Sequence, residues 1–191
     1  MTEKEKMLNG LYHLPPDPQL QQDHMKAQKL LHRYNLLEPD QKEEFQSILS
    51  QLLGKMGKKP CFKQPFRCDY GLNIEVGDYF FANYNCTILD SGKVKIGNEV
   101  MFGPNVGIYT VSHPLDFESR QKAYEIAKPI VIEDGVWLAS NVIVLPGVTI
   151  GKRSVIGAGS VVTKDIPADS FAAGNPCKVI RQINQEEHIR L

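Results

Sequence analysis

His113, which stands directly before Pro114, is the histidine best placed to act as a general base. Imidazole has an unperturbed pKa of about 6.5, so it suits proton transfer near neutral pH. Proline holds the preceding residue extended, which presents the His113 ring at the start of a loop. The position alone does not separate a base from an ordinary surface histidine at a loop junction. The other histidines lie in helical or terminal segments: His13, His24, His32 and His188.

The residues give little support to other reaction types. A catalytic zinc needs several protein ligands, and a single histidine beside the repeats described below cannot supply them. No serine lies in a nucleophile-elbow pattern, and no cysteine has an activating partner nearby in sequence. The sequence therefore favours direct transfer between two bound substrates, without a metal. The cysteines have no C-x-x-C spacing and are interpreted as free thiols: Cys61, Cys68, Cys86 and Cys177.

A strict six-residue repeat of aliphatic side chains predicts the scaffold. Neither an α-helix, with a period of about 3.6, nor an alternating strand, with a period of about 2, gives this spacing. The repeat is typical of a parallel β-helix, in which short strands wrap a prism and each aliphatic residue points inward. A β-sandwich with coincidental spacing is the alternative, and the unbroken run argues against it. The run comprises Ile132, Leu138, Val144, Ile150, Ile156 and Val162.

The repeat continues upstream with interruptions. The step from Ile88 to Ile96 is eight residues and that from Ile108 to Ile132 is 24, so we interpret residues 114–131 as a loop thrown out from the prism. Three hexads complete one triangular turn, which predicts about four turns: 76–93, 96–113, 132–149 and 150–167. Glycines that follow aliphatic positions are expected at corners, where the backbone is tight or left-handed. They are Gly77, Gly97, Gly103, Gly151 and Gly157.

The N-terminal third has helical spacing instead. Asp17 and Pro18 form a helix cap and first turn, and a second helix is predicted from near Pro39 to Gly54. Both helices are expected to cover the open first turn of the prism. We divide the chain into a helical cap (1–57), a β-helix with the extruded loop (58–183) and a tail ending in a helical turn (184–191). Residues 55–70 are interpreted as a linker into the first turn.

Charge and hydropathy exclude several classes of partner. Among the 191 residues, 22 Lys and Arg balance 22 Asp and Glu, so no net field recruits nucleic acid or a membrane surface. No apolar run approaches the roughly 20 residues of a membrane span, and the first residues lack the apolar core of a signal peptide. These features predict a cytoplasmic protein.

Several short motifs lie along nearly the whole chain, roughly residues 8 to 184. They are Asn9-Gly10-Leu11-Tyr12, Asp17-Pro18, Ala82-Asn83-Tyr84-Asn85, Ser112-His113-Pro114-Leu115, Ala127-Lys128-Pro129-Ile130, Asp134-Gly135-Val136-Trp137, Pro146-Gly147-Val148-Thr149-Ile150-Gly151, residues 155–167 and Ala173-Gly174-Asn175-Pro176. Together they resemble the maltose and galactoside O-acetyltransferases, a family of hexapeptide acyltransferases. The resemblance implies a mainly β fold, a left-handed parallel β-helix. It also implies a homotrimer with active sites between subunits, acetyl-CoA as co-substrate between adjacent prisms, and a small sugar acceptor.

The resemblance also assigns roles to individual residues. It implies that His113 deprotonates a sugar hydroxyl and that Glu125 orients the His113 ring and stabilises its imidazolium form. Asn83 would hydrogen-bond a hydroxyl or a tetrahedral oxyanion. Other positions that match the acceptor pocket are Asp17, Asp69, Asp90 and Ser91. Positions that match contacts to the amides and phosphates of acetyl-CoA are Ser140, Ala158, Thr163, Lys164, Lys178 and Arg181.

Three functions remain open from the sequence. The first is acetylation of a maltose-, glucose- or galactoside-like acceptor, and the second is the same transfer to an antibiotic or an amino sugar. The third is a trimeric ligand-binding scaffold without activity, against which the presence of His113, Asn83 and Lys164 argues. His13 stands where many family members carry an aspartate, a departure on the acceptor side of the site. The loop 114–131 is expected to fold over the groove of a neighbouring subunit.

Overall fold

A computed structural model describes residues 1–184 and residue 186, and it places short helices before a coil of parallel strands. The helices that precede the coil are α1 (Glu3–Leu8), α2 (Pro18–Asn35) and α3 (Lys42–Leu52). Helix α2 begins at the predicted cap, because the Asp17 carboxylate accepts hydrogen bonds from the backbone N–H groups of Gln19 and Leu20. Helix α1 was not predicted, and α3 begins slightly later than expected.

The strands follow one another around the prism in about six turns. In chain order they are β1 (Lys55–Met56), β2 (Cys61–Phe62), β3 (Phe66–Cys68), β4 (Ile74–Val76), β5 (Phe81–Ala82), β6 (Cys86–Leu89), β7 (Val94–Ile96), β8 (Met101–Phe102), β9 (Gly107–Tyr109), β10 (Val111–Ser112), then helix α4 (Phe117–Gln121), β11 (Ile126–Ala127), β12 (Ile130–Ile132), β13 (Trp137–Leu138), β14 (Ile143–Val144), β15 (Thr149–Ile150), β16 (Val155–Ile156), β17 (Val161–Val162), β18 (Ser170–Ala173) and β19 (Lys178–Gln182).

Three sheets form the faces of the prism. The first sheet has the order β1-β4-β7-β12-β15, the second β2-β5-β8-β13-β16-β18-β19, and the third β3-β6-β9-β14-β17. Each turn passes from the first sheet to the second and then to the third. Strand pairing within them is parallel, except that β19 folds back antiparallel on β18. The predicted parallel β-helix is therefore confirmed.

Two corners of the prism matter for the site. The Asn83 edge is the corner between the second and third sheets, and it comprises residues 63–65, 83–85, 103–106, 139–142 and 157–160. The His113 edge is the corner between the third and first sheets, and it comprises residues 69–73, 90–93, 145–148, 163–165 and the loop 110–129. The third sheet lies between these two edges.

The predicted inward register is correct. All six aliphatic residues from Ile132 to Val162 are 0% exposed, and Leu138 pairs with Phe102 in the preceding turn and with Ile156 in the following one. Full burial of such a side chain contributes about 1.5–3 kcal/mol. The stacked aliphatic columns therefore supply the main stabilisation of the coil.

The coil begins earlier than the sequence analysis placed it. Residues 55–70 are not a linker, because β1, β2 and β3 already form a turn in which Met56, Phe62 and Cys68 pair with the residues 20 positions later. The prediction of about four turns was wrong because this turn precedes the predicted ones and because the coil continues past residue 167, where β18 pairs with β16. These three positions do keep the six-residue step, but phenylalanine and cysteine made the hexad harder to recognise.

The glycines at the corners are required by close stacking and not by a left-handed backbone. A Cβ on Gly97 would lie 2.6 Å from the backbone nitrogen of Asp134, and one on Gly103 would lie 2.7 Å from that of Ser140. The left-handed residues stand two positions further on, at Glu99 with φ 55° and Asn105 with φ 60°. Of the two predicted reasons for glycine at these corners, a tight or a left-handed backbone, only the tight one applies.

Two further expectations concern the ends of the chain and its hydropathy. The helical turn expected in the tail lies outside the described residues, as does His188. Within residues 1–184, no helix is both long and apolar enough to cross a lipid bilayer.

Candidate active site

The His113 ring is held by a hydrogen bond at Nδ1, and its side chain is partly exposed to solvent. His113 follows β10 at the start of the extruded loop, and its side chain is about half exposed. Its Nδ1 lies 3.2 Å from the carbonyl oxygen of Tyr124. Because a carbonyl oxygen only accepts hydrogen bonds, Nδ1 carries the hydrogen in the neutral ring and Nε2 carries the lone pair. Nε2 is therefore the atom that can take a proton.

Glu125 lies near Nε2 of His113, and not near Nδ1. The distance from Glu125 Oε1 to His113 Nε2 is 3.9 Å, which is too long for a hydrogen bond. The Tyr124 carbonyl, and not the Glu125 carboxylate, forms the hydrogen bond that holds the ring in the structure. A carboxylate on the Nε2 side can still stabilise the imidazolium form.

The extruded loop returns to His113 because its two arms pair with each other. Strand β10 pairs antiparallel with β11, so Ser112 faces Ile126. Between them, α4 is capped by Asp116, whose carboxylate accepts from the Ser119 N–H at 2.8 Å. Arg120 donates to the carbonyl oxygens of Pro114 and Leu115. These contacts bring Tyr124 and Glu125 back beside His113.

Two more carboxylates of the predicted acceptor set lie on the same edge, in different environments. Asp90 is 0% exposed, and its Oδ1 accepts from the backbone N–H groups of Asp69 and Tyr70, each at 2.9 Å. Ser91 is also buried, so neither Asp90 nor Ser91 presents its side chain to solvent within one protomer. Asp69 is half-buried, and Asp90 fixes its backbone.

Burial dominates the electrostatics of this edge. It raises the pKa of Asp69, an effect that nearby His24 opposes. It raises the pKa of Glu125 as well, where His113 opposes the shift and the charge of Asp69 adds to it. For Asp90, burial raises the pKa to about 7, although the hydrogen bonds from Tyr70 and Asp69 oppose the shift. The His113 edge thus holds three carboxyl groups that bind protons more readily than exposed ones.

The Asp90 shift predicts a pH dependence of stability. An unfolded aspartate has a pKa of about 3.9, so the folded state binds this proton more tightly and the free energy of unfolding falls as pH rises from about 4 to about 7. We expect Asp90→Asn to lose less melting temperature than the wild type between about pH 5 and pH 8. Asp40→Asn, at an exposed loop residue, serves as the control. Equal pH dependence in the wild type and Asp90→Asn would contradict this assignment.

Asn83 lies on the other edge of the third sheet. It follows β5, and its Oδ1 accepts from the Tyr84 N–H at 2.8 Å. Strand β6, which separates Asn83 from Asp90, has four residues and spans about 10 Å or more at roughly 3.3 Å per residue. Within one protomer, the Asn83 side chain therefore cannot reach His113.

The positions predicted to contact acetyl-CoA divide in the same way. Ser140 and Ala158 lie on the Asn83 edge, whereas Thr163 and Lys164 lie on the His113 edge. Lys178 and Arg181 are exposed on β19, where the Arg181 guanidinium lies 6.0 Å from the centre of the Phe171 ring. In the described part of the chain, Lys164, Lys178 and Arg181 form no ion pair, so these cations are available to bind phosphate.

Asp17 has a structural role of its own. Its carboxylate caps α2 by accepting hydrogen bonds from the N–H groups of Gln19 and Leu20. A sugar that bound Asp17 would therefore bind a carboxylate that also caps the helix. Three groups at or beside the His113 edge were not assigned a role from the sequence: the Tyr124 carbonyl, Tyr70, and His24 of α2, whose Nδ1 lies 3.0 Å from the Asp69 carbonyl oxygen. None of them belongs to a repeat or a motif.

Among the described residues, no cluster of three or more His, Cys, Asp or Glu could hold a metal ion.

Comparison with known families agrees with the coil and its cap. Residues 6–57 match a family model described as the maltose acetyltransferase hexapeptide capping motif. Residues 129–164 match one described as the bacterial transferase hexapeptide, with six repeats. A prism of hexapeptide repeats with this cap defines a hexapeptide-repeat acyltransferase.

Individual relatives identify the family. The crystal structure of a maltose O-acetyltransferase from Clostridium difficile is 49% identical, with a TM-score of 0.95, over 97% of this chain and 99% of that one. A galactoside acetyltransferase solved in complex with coenzyme A is 36% identical, with a TM-score of 0.95, over 100% of this chain and 96% of that one. The galactoside O-acetyltransferase of Lactococcus lactis is 41% identical over 92% of this chain and 85% of its own length. The chain therefore belongs to the maltose and galactoside O-acetyltransferase family.

Proposed function

We propose that the protein transfers the acetyl group of acetyl-CoA to a hydroxyl of a small sugar, with His113 as the general base. The observation that carries this proposal is the half-exposed His113 side chain, with Nδ1 fixed by the Tyr124 carbonyl and with carboxyl groups grouped on the same edge. Acetyl-CoA supplies an activated acetyl thioester. The similar galactoside acetyltransferase was solved with coenzyme A, which supports this choice of donor.

Each residue has a defined part in the reaction. Nε2 of His113 takes the proton from the acceptor hydroxyl, whose oxygen then forms the new bond to the acetyl carbonyl carbon. Glu125 stabilises the imidazolium produced, and the Asn83 amide donates to the oxygen on which negative charge develops. His113 then returns the proton to the departing thiolate. General acid–base catalysis of this kind contributes about 10²–10⁴-fold.

The site is proposed to form between two copies of the chain in a homotrimer. The predicted catalytic and coenzyme residues lie on two separated edges of one protomer, which supports a site where the His113 edge of one copy meets the Asn83 edge of another. A cavity of about 240 Å³ adjoins the loop, but its lining residues include neither His113 nor Glu125.

The outer face of the second sheet carries a column of apolar side chains, Phe81, Met101 and Trp137, the last two about half exposed. Such a column is suited to contact between subunits.

The acceptor is proposed to be a maltose-, glucose- or galactoside-like sugar. Carboxylates accept hydrogen bonds from sugar hydroxyls, and both Asp69 and Glu125 are partly exposed for this purpose. The names of the relatives point to the same class of acceptor. The cysteines, which form no disulfide in the structure, support a cytoplasmic location, where acetyl-CoA is available.

The proposed acceptor class is tested by a panel assay. Purified protein is supplied with acetyl-CoA and one acceptor at a time, and release of the free thiol of CoA is followed. Maltose, glucose and a galactoside should each be compared with an amino sugar and an aminoglycoside antibiotic. We expect release that depends on a sugar hydroxyl, with a product heavier by one acetyl group. Release only with the amine-bearing acceptors would favour the alternative acceptor class, and release with none would contradict the proposal.

A further inference from the structure

His13 is a buried histidine whose function nothing above explains. It lies between α1 and α2, is 0% exposed, and has its Nδ1 3.4 Å from the Leu11 carbonyl oxygen. Its Nε2 has no hydrogen-bond partner among the described residues. A buried polar atom without a partner is costly, so the environment of this nitrogen needs an explanation.

The carboxylate of Glu125 lies close to that nitrogen. Glu125 Oε2 lies 3.8 Å from His13 Nε2, and its Oε1 lies 3.9 Å from His113 Nε2. The two backbones are locked together, since His13 N–H donates to the Glu125 carbonyl and Glu125 N–H donates to the His13 carbonyl, each at 3.0 Å. In the described part of the chain, no group donates a hydrogen bond to the Glu125 side chain. The carboxylate is thus placed between two histidines, one buried and one exposed.

We propose that His13 is a positioning residue that holds the Glu125 carboxylate beside His113. The inference rests on the proposed function, because the value of holding Glu125 depends on His113 being the base. The Leu11 carbonyl only accepts, so Nδ1 of His13 carries a hydrogen and Nε2 has a lone pair when the ring is neutral. A single proton, placed either on Nε2 of His13 or on Oε2 of Glu125, allows a hydrogen bond between the two side chains. A shift of about 0.5–1 Å brings the atoms into hydrogen-bond distance.

The surroundings of His13 favour this arrangement over direct solvation. Burial lowers the pKa of His13, while the Leu11 carbonyl and the charge of Glu3 oppose that shift. Glu3 is itself engaged, because its Oε2 accepts from the Leu14 N–H at 2.7 Å and its Oε1 pairs with Lys6. Glu125, whose side chain accepts no hydrogen bond from the described residues, is therefore the acid available to pair with Nε2. Without His13, the Glu125 side chain would be free to turn towards solvent, away from His113.

Two variants of similar size separate positioning from packing. His13→Gln keeps a polar group near the position of Nε2, whereas His13→Leu fills the space without one. We expect His13→Leu to lower kcat for acetyl transfer by about tenfold or more, since small displacements of catalytic groups cost up to about 10²-fold. The KM for acetyl-CoA should stay within about twofold, because the predicted coenzyme contacts lie elsewhere. His13→Gln should recover kcat to within about threefold of the wild type. Equal kcat in the two variants would overturn the proposal.

A second measurement needs no activity, so it remains informative if the proposed function fails. Nitrogen NMR of the histidine rings reports tautomer and hydrogen bonding in the intact protein. We expect Glu125→Gln to move the resonances of the His13 ring, assigned by their loss in His13→Gln, and to leave those of exposed His32 unchanged. Unmoved His13 resonances would overturn the pairing. An active His113→Ala protein, by contrast, would refute the proposed base and leave the pairing intact.

Discussion

Replacing His113 with alanine is expected to lower turnover of the acceptor by about 10²–10⁴-fold. Nε2 of His113 is the atom proposed to take the hydroxyl proton, and the variant removes it. The prism does not depend on this side chain, which is about half exposed. Acetyl-CoA binding and oligomeric mass should therefore be unchanged.

The measurement is the initial rate of CoA release at saturating acetyl-CoA, with and without acceptor. His32→Ala, at an exposed position on α2, is the matched control and should keep the wild-type rate. A loss of less than about tenfold on the true acceptor would assign the base to another group.

The second large effect is on stability. Ile132→Asp would place a charge in the interior of the prism, where Ile132 is 0% exposed and pairs with Ile96 and Ile150. A buried charge without a partner costs several kcal/mol, a large share of the roughly 5–15 kcal/mol that stabilises a typical domain. We expect this variant to be unfolded or to have a melting temperature lower by more than about 10 °C.

The neighbouring residue provides a control with the same substitution. Val131 lies on the same strand, β12, but points outward and is only partly buried, facing Lys95 and Thr149 of adjacent strands. Val131→Asp should have little effect on melting, because the new carboxylate lies beside a lysine. Similar melting temperatures for the two variants, measured by circular dichroism, would show that the inward register is wrong.

The periodic part of the fold was predictable because its physical cause is local. Each inward position from Ile132 to Val162 must be apolar, so the period is written directly in the sequence and gives both the coil and its register. The first turn was missed because its inward positions are occupied by Phe62 and Cys68, which are apolar but are not the aliphatic residues typical of the repeat. The stacking of Gly97 against the next turn could not be distinguished from a left-handed corner, since glycine satisfies both requirements.

The site was predictable only in part, because it depends on contacts between distant segments. His113 could be singled out from its place before Pro114 at the end of a repeat. The hydrogen bond from its Nδ1 goes to a backbone carbonyl, at Tyr124, and a carbonyl has no sequence signature. The placement of His13 beside Glu125 depends on how the segment before α2 docks on the returning arm of the loop. Such docking is a tertiary property that no repeat or motif records.

The sequence also could not show that the predicted residues fall on two edges. Asn83 and His113 each follow a strand, and only the three-sheet topology places the third sheet between them. The proposed site combines the His113 edge of one copy with the Asn83 edge of a neighbouring copy, so activity is expected to depend on assembly.

The most direct test of this account mixes two inactive proteins. Asn83→Ala should lose about 10²–10³-fold in kcat, as expected for an oxyanion donor, and His113→Ala loses its base, but each retains the edge that the other lacks. The two are unfolded and refolded together in equal amounts, and CoA release is compared with that of each parent treated in the same way. About a quarter of the sites should then combine an intact His113 edge with an intact Asn83 edge, so about a quarter of the wild-type rate should return. A mixture no more active than the average of its parents, with assembly intact, would contradict a site shared between copies.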